Sequence, residues 1–164
     1  MPDIRRDPVA TADASARALA QQLLRDARFA ALAWSDAETA TPGISRIAFG
    51  LDAAGLPLTL ISGLSPHFAA LQTHPDCAVM VGEPGEKGDP LTHPRLMLKA
   101  RAQFVARDDP DHAALRDLWL KGHPKAALYI DFADFAFVRL QPLSALLNGG
   151  FARAFRLQPA DLLV

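Results

Sequence analysis

Between residues 13 and 28 the apolar positions Ala16, Leu19, Leu23 and Ala27 recur at helical intervals, with Asp13, Arg17 and Arg25 placed elsewhere. That period sets one apolar stripe along an α-helix, and Thr11 or Asp13 stands where an N-cap oxygen is needed. The pattern then changes to period two. Phe29 to Ser35 reads as a strand, and Ile44 to Leu51 sets Ile47, Phe49 and Leu51 against Arg46, Ala48 and Gly50, as in a strand with one buried face. Asp52-Ala53-Ala54-Gly55 supplies turn residues before another strand, Leu58 to Ser62, so these two runs are expected to pair as a hairpin.

Ser65-Pro66 opens a second helix: Ser can cap, and Pro is tolerated at the first helical position, where its missing N–H would have no partner. Phe68 and Leu71 follow at helical spacing, and Pro75 ends the run. Cys77 to Glu83 reads as a strand and Pro84 to Pro94 as a Gly/Pro-rich loop. The longest clean alternation spans Arg95 to Arg107, with Leu96, Leu98, Ala100, Ala102 and Phe104 opposite Arg95, Met97, Lys99, Arg101 and Gln103. Asp109-Pro110 opens a further helix with Leu115, Leu118 and Trp119 as its stripe and Gly122 placed to end it. Phe135 to Leu140 is the last strand; Phe135 and Phe137 face opposite to Ala136, Val138 and Leu140, and both sides are apolar. Helices are thus expected near 13 to 28, 65 to 73 and 110 to 121, around a mainly β (α+β) antiparallel barrel of about six strands.

The 164 residues are 50% hydrophobic and 21% charged, which suits a single globular domain over 1–164 that buries roughly 70% of its unfolded surface. Seventeen basic against eighteen acidic residues leave a net charge of −1, so no nucleic acid or acidic membrane is expected as a partner. Apolar runs such as Phe29 to Trp34 are far shorter than the ~20 residues that cross a bilayer. The one cysteine, Cys77, permits no internal disulfide, and Met1 to Thr11 holds Arg5-Arg6 with no apolar run after it. A cytoplasmic protein is expected.

Candidate chemistry gathers in Ser62-Gly63-Leu64-Ser65-Pro66-His67, where a strand end meets a helix N-terminus. Unpaired N–H groups and the positive end of the helix dipole favour an anion there, with Ser62, Ser65 and His67 adding side-chain contacts. The same hexapeptide also reads as a plain helix cap beside a surface His. Ser45-Arg46 adds a guanidinium able to take a terminal phosphate bidentately, or an ordinary surface Arg. His74 and Cys77 have a metal-like spacing, but His67, His93, His112 and His123 are scattered, so no metal site is expected. Neither a Gly-x-Ser-x-Gly elbow nor a Gly-x-Gly-x-x-Gly turn occurs.

Several segments together carry a resemblance: Pro42-Gly43-Ile44-Ser45-Arg46, Ser62-Gly63-Leu64-Ser65 with His67, His74-Pro75, and Val81-Gly82-Glu83-Pro84. Gly88-Asp89-Pro90-Leu91, Pro94-Arg95-Leu96, Gly122-His123-Pro124 with Tyr129, Asp134-Phe135, and Asn148 to Ala154 continue it in order. Over about residues 12 to 157 the chain resembles the FMN-binding split-barrel flavoproteins related to pyridoxamine 5′-phosphate oxidase, closest to the haem-utilisation branch. The resemblance implies a split β-barrel and an FMN whose phosphate is held by Ser45, Arg46, Ser62, Ser65 and His67. It also implies a flavin ring at a homodimer interface, which Lys99, Arg101, Gln103 or Trp119 approach if they are not simply strand face and core. The function expected is an oxidoreductase passing electrons from a reduced donor through FMN to a small-molecule acceptor, with no catalytic residue specified. The alternative is a non-catalytic flavin- or haem-binding protein. Three departures bear on this. Haem-degrading members often continue into a second domain, and no His follows His123 to ligate iron, so haem chemistry is expected only through another ligand. Ala152 stands where the family usually has Gly, which strains a positive φ there. The arginine-rich C-terminal signature of true pyridoxamine phosphate oxidases is absent from a sequence that closes on Leu162-Leu163-Val164, so vitamin B6 oxidation is disfavoured.

Overall fold

Asp13 is the residue that caps the first helix: its carboxylate accepts the Ala16 N–H at 2.7 Å. The computed structural model describes residues 7–163, so the Arg5-Arg6 part of the N-terminal reading lies outside them. Along the chain follow β1 (Val9–Thr11), α1 (Ala14–Asp26), β2 (Phe29–Ser35), β3 (Pro42–Ala48), β4 (Gly50–Leu51), β5 (Pro57–Ser62) and α2 (Pro66–Thr73). Then come β6 (Asp76–Val81), β7 (Arg95–Phe104), α3 (His112–Gly122), β8 (Phe135–Asn148), β9 (Ala154–Leu157) and α4 (Pro159–Leu162). The helices expected near 13 to 28, 65 to 73 and 110 to 121 are α1, α2 and α3, each slightly shorter. None of the described helices is long and apolar enough to cross a membrane.

The strands form one nine-stranded sheet in the order β1-β9-β8-β7-β6-β2-β3, with β5 beside β8 and β4 beside β5. This corrects the expected antiparallel barrel in three respects. The described residues form nine strands, not about six; the sheet is open; and β1 pairs with β9 in parallel, Val9 opposite Ala154. Every other pairing is antiparallel.

The expected hairpin between Ile44–Leu51 and Leu58–Ser62 forms only next to its turn, where Gly50 pairs with Leu58. Phe49 leaves the ladder, its N–H donating to the Arg28 carbonyl at 2.9 Å and its ring fully buried. The run therefore splits. β3 pairs with β2, Arg46 opposite Ala31, and only Gly50 and Leu51 pair with β5. The last strand runs far past Leu140. Leu143 is skipped in the register, with Ala100 opposite Pro142 and Lys99 opposite Ser144, and the buried positions change parity from Leu140 and Pro142 to Ala145 and Leu147. A bulge inserts one unpaired residue, and Pro lends no N–H to a ladder, so the alternation stops in sequence while the strand continues.

Two apolar clusters hold the sheet. Ala16, Ala20 and Leu24 of α1 pack on Leu32, Val79, Leu98 and Leu140, with Leu19, Leu23 and Ala27 at the margin. On the other side Leu115 and Trp119 of α3 pack on Leu58, Leu60 and Phe137. The first half of β8 feeds both clusters, Phe137 into one and Val138 and Leu140 into the other. Its two apolar faces are thus consumed within the chain and need no second subunit to cover them.

Candidate functional site

Ser62 ends β5 opposite Phe135 of β8, which brings the loop before α2 against Asp134. The Ser62 hydroxyl donates to the Asp134 carboxylate at 2.8 Å and accepts the Leu64 N–H at 3.1 Å. Gly63 donates its N–H to the Asp134 carbonyl, and the Ser65 N–H returns to the Ser62 carbonyl at 3.0 Å. A Cβ on Gly63 would stand 3.1 Å from that Asp134 oxygen, so glycine lets the two segments close. Ser65 occupies the N-cap of α2 with Pro66 inside the first turn, yet its hydroxyl makes no capping bond.

His67 and Ser45 meet on the inner side. Ser45 shares a strand face with the buried Ile47, and its Oγ accepts the Trp34 indole N–H at 3.0 Å while lying 3.1 Å from His67 Nδ1. His67 is buried, and that burial pushes its pKa down from 6.5, because a charged imidazolium loses its hydration there. A neutral ring accepting the Ser45 O–H completes a chain from indole to hydroxyl to imidazole. Gly43, opposite Trp34 in the register, makes room for it: a Cβ there would fall inside the indole.

Arg46, one residue along β3, points the other way. Its guanidinium lies over the Phe29 ring, 5.5 Å from the centroid, beside a hollow of about 230 Å³ lined also by Ala31, Ile44 and Glu83. Within one subunit the structure therefore joins Ser45 to His67, sets Ser62 and Ser65 on the adjoining loop, and leaves Arg46 on the opposite side of the sheet. As a phosphate cradle the loop offers the Ser65 hydroxyl and the first turn of α2, which fit the group. The Asp134 carboxylate on Ser62 works against it.

Three side chains here were not singled out from the sequence. The sequence pattern gives Trp34 only as part of the Phe29 to Ser35 strand, Asp134 only as a strand start, and Arg107 only as the end of an alternation. Arg107 in fact donates to the carbonyls of Phe132 and Phe135 on either side of Asp134, bringing a cation to within two residues of the loop's acid. Contacts between residues this distant in sequence leave no local pattern. Lys99 and Arg101 lie on the exposed strand face and Trp119 in the core under α3. Among the described residues no three His, Cys, Asp or Glu side chains cluster.

No family model matches the chain. The heme binding protein of Mycobacterium smegmatis superposes with a TM-score of 0.81 at 24% identity, over 93% of this chain and 61% of that one. A Clostridium acetobutylicum protein related to general stress protein 26, of the pyridoxinephosphate oxidase family, superposes at 0.68 and 13% identity over 92% and 99%. Both likenesses are of fold. In sequence, the chloroplastic non-canonical heme oxygenase HOZ of Arabidopsis thaliana is 32% identical over 114 residues. This chain resembles the haem-utilisation split barrels. They share its architecture with the wider group related to pyridoxamine 5′-phosphate oxidase, and the chain is similar to both. The match to the Arabidopsis protein takes in 70% of this chain and spans 34% of the relative's length. Of the segments that carry the haem-utilisation resemblance, Pro42 to Arg46 lie on β3, Ser62 to His67 on the loop entering α2, and Asn148 to Ala154 on the β8–β9 connection.

Proposed function

We propose that this chain is a prosthetic-group-binding protein of the haem-utilisation type, taking haem or flavin. The observation that carries the reading is the 32% identity to a heme oxygenase across 70% of the chain, on a fold like that of a named heme binding protein. Binding is the primary role, and the bound group supplies the redox chemistry. If the group is a flavin it is FMN, with its phosphate served on the loop side by Ser65, His67 and the first turn of α2 and on the other by Arg46; Ser45 and Ser62 join only when their hydroxyls turn away from His67 and Asp134. That division of donors calls for a homodimer. Arg46 shares its outward face with the exposed Ile44, Phe29 and Met80, an apolar surface that a second copy would cover. A cytoplasmic setting belongs to the same proposal, in keeping with the single free thiol.

Titration of the purified chain with hemin and, separately, with FMN tests this. A Soret band or quenched flavin fluorescence saturating at one equivalent per subunit supports the reading. Neither signal at ~100 μM ligand, where even a Kd near 10 μM gives ~90% occupancy, overturns it. For FMN, Arg46→Ala should weaken binding about ten- to hundredfold, the loss of ~1.5–3 kcal/mol from a charged donor, and leave riboflavin unchanged. Equal losses for both would assign Arg46 to the fold. Ile44→Glu should convert the dimer to a monomer by sedimentation equilibrium, whereas a wild-type monomer at micromolar concentration would remove the dimer. The heme oxygenase name of the Arabidopsis relative favours a second reading, an oxidoreductase using a reduced donor and a small-molecule acceptor. Anaerobic reduction of the bound group by a nicotinamide donor distinguishes it from binding alone.

A further inference from the structure

A pocket of about 440 Å³ opens between the C-terminal ends of α1 and α3, with β4 also lining it. Its size falls within the range of small-molecule sites. Arg25, Arg28 and Lys121 stand around it, and Gly50, Leu51 and Leu118 give it an apolar lining. None of the three cations has a carboxylate within ion-pair distance among the described residues. The neighbouring acids are engaged elsewhere: Asp26 accepts from Gln22, and Asp117 lies 3.8 Å from Arg116. Two helix C-termini converge here, each equivalent to roughly half a negative charge. They offset about one of the three positive charges and leave about two.

The wall has a second peculiarity. Trp119 and His123 stack one turn apart on α3 and its cap, 4.0 Å between centroids at 10°. His123 Nε2 meets the Arg28 carbonyl at 3.0 Å, while His123 Nδ1 and Trp119 Nε1 are the two buried side-chain polar atoms without a partner among the described residues. Both nitrogens lie beneath the surface, so what this wall presents to the pocket is the ring surface of the stacked pair, which adds to its apolar lining.

We propose that this pocket binds a ligand joining a doubly charged anionic group to a flat apolar body, of the nucleoside diphosphate class. The cations take the diphosphate, and the Leu51 and Leu118 surface takes the base and sugar. The site stands apart from Ser45, Ser62, Ser65 and His67 and does not depend on flavin or haem binding.

Calorimetric titration with ADP tests it, in the presence and absence of saturating FMN. The expected result is ADP binding in the micromolar to submillimolar range that FMN does not displace, with AMP weaker and adenosine weaker still. Arg25→Glu/Lys121→Glu should reduce ADP affinity at least about tenfold, with an unchanged circular-dichroism spectrum. If charge reversal disturbs folding, Arg25→Gln/Lys121→Gln carries the same comparison. No ADP binding at millimolar concentration, displacement of ADP by FMN, or equal affinity in a folded variant overturns the proposal. Any of these leaves the hemin and FMN titrations standing.

Discussion

Ala152 adopts φ +55°, a left-handed conformation that costs an L-residue about 1–2 kcal/mol and glycine nothing comparable. Replacing it by glycine also adds about 0.4–1 kcal/mol of unfolded-chain entropy to be lost. The net expectation for Ala152→Gly is a gain of about 0.5 kcal/mol in urea denaturation, with Ala152→Val less stable than the wild type. His67 gives a pH dependence of definite sign. Its folded pKa lies below 6.5, so as pH falls through 6.5 the unfolded chain takes up the proton first and stability declines; above that pH the imidazole is neutral in both states and nothing is lost. The carboxylates held low, Asp7, Asp36 and Asp131, respond only below their usual 3.8. Denaturation midpoints measured from about pH 7.5 to 5.5 should therefore fall, and His67→Gln should flatten the slope. Cys77 is a third case. Burial, with Asp76 beside it, pushes its thiol up to about 11 from 9.0, which makes thiolate about a hundredfold scarcer at pH 8. Iodoacetamide should label the native chain slowly and the urea-unfolded chain rapidly.

Between elements, Arg139 of β8 ties together parts that local sequence keeps separate. Its guanidinium donates to Asp52 at 3.1 Å and Asp111 at 3.2 Å, joining the turn after β4 to the N-cap of α3. Asp52 is buried, and its other oxygen accepts the Ala54 and Leu56 N–H groups at 2.9 Å. Arg139→Ala strands that carboxylate and should cost about 3 kcal/mol, while Asp111→Asn at the exposed partner should cost under ~1 kcal/mol; chemical denaturation of both checks the contrast. This division between local and distant contacts governs what could be read from the chain. Helices α1, α2 and α3 and the strands around Phe29, Cys77 and Arg95 were legible because each carries its own period and its own stop. β1 and β9 are three and four residues long, too short to show a period, and the bulge at Leu143 hid the second half of β8. At the candidate site the loop and its cap were legible, as was Ser45 beside Arg46. That Ser45 turns inward to His67 while Arg46 turns outward follows from strand alternation. That Trp34 and Asp134 occupy the hydroxyls depends on strand order, which no local pattern encodes.

At the scale of the whole molecule, the two ends of the described chain are fastened to each other. Beyond the β1–β9 ladder, Arg156 donates to Asp7 at 2.7 Å, and Gln21 of α1 donates to the carbonyls of Asp161 and Leu163 at 3.1 and 3.0 Å. The path of the backbone is thus nearly a ring, and the order in which its segments are synthesised need not matter to the folded state. Joining Leu163 to Asp7 through a Gly/Ser linker of about ten residues, with a reach of up to ~33 Å, and opening new ends within the exposed Glu83–Gly88 loop gives a circular permutant. Its new termini fall where proteins best tolerate a break. The permutant should keep the native circular-dichroism spectrum and unfold cooperatively. A permutant that fails to fold while the uncut, linked ring does fold would mean that the Glu83–Gly88 connection is needed to bring β6 and β7 together, and not merely to join them.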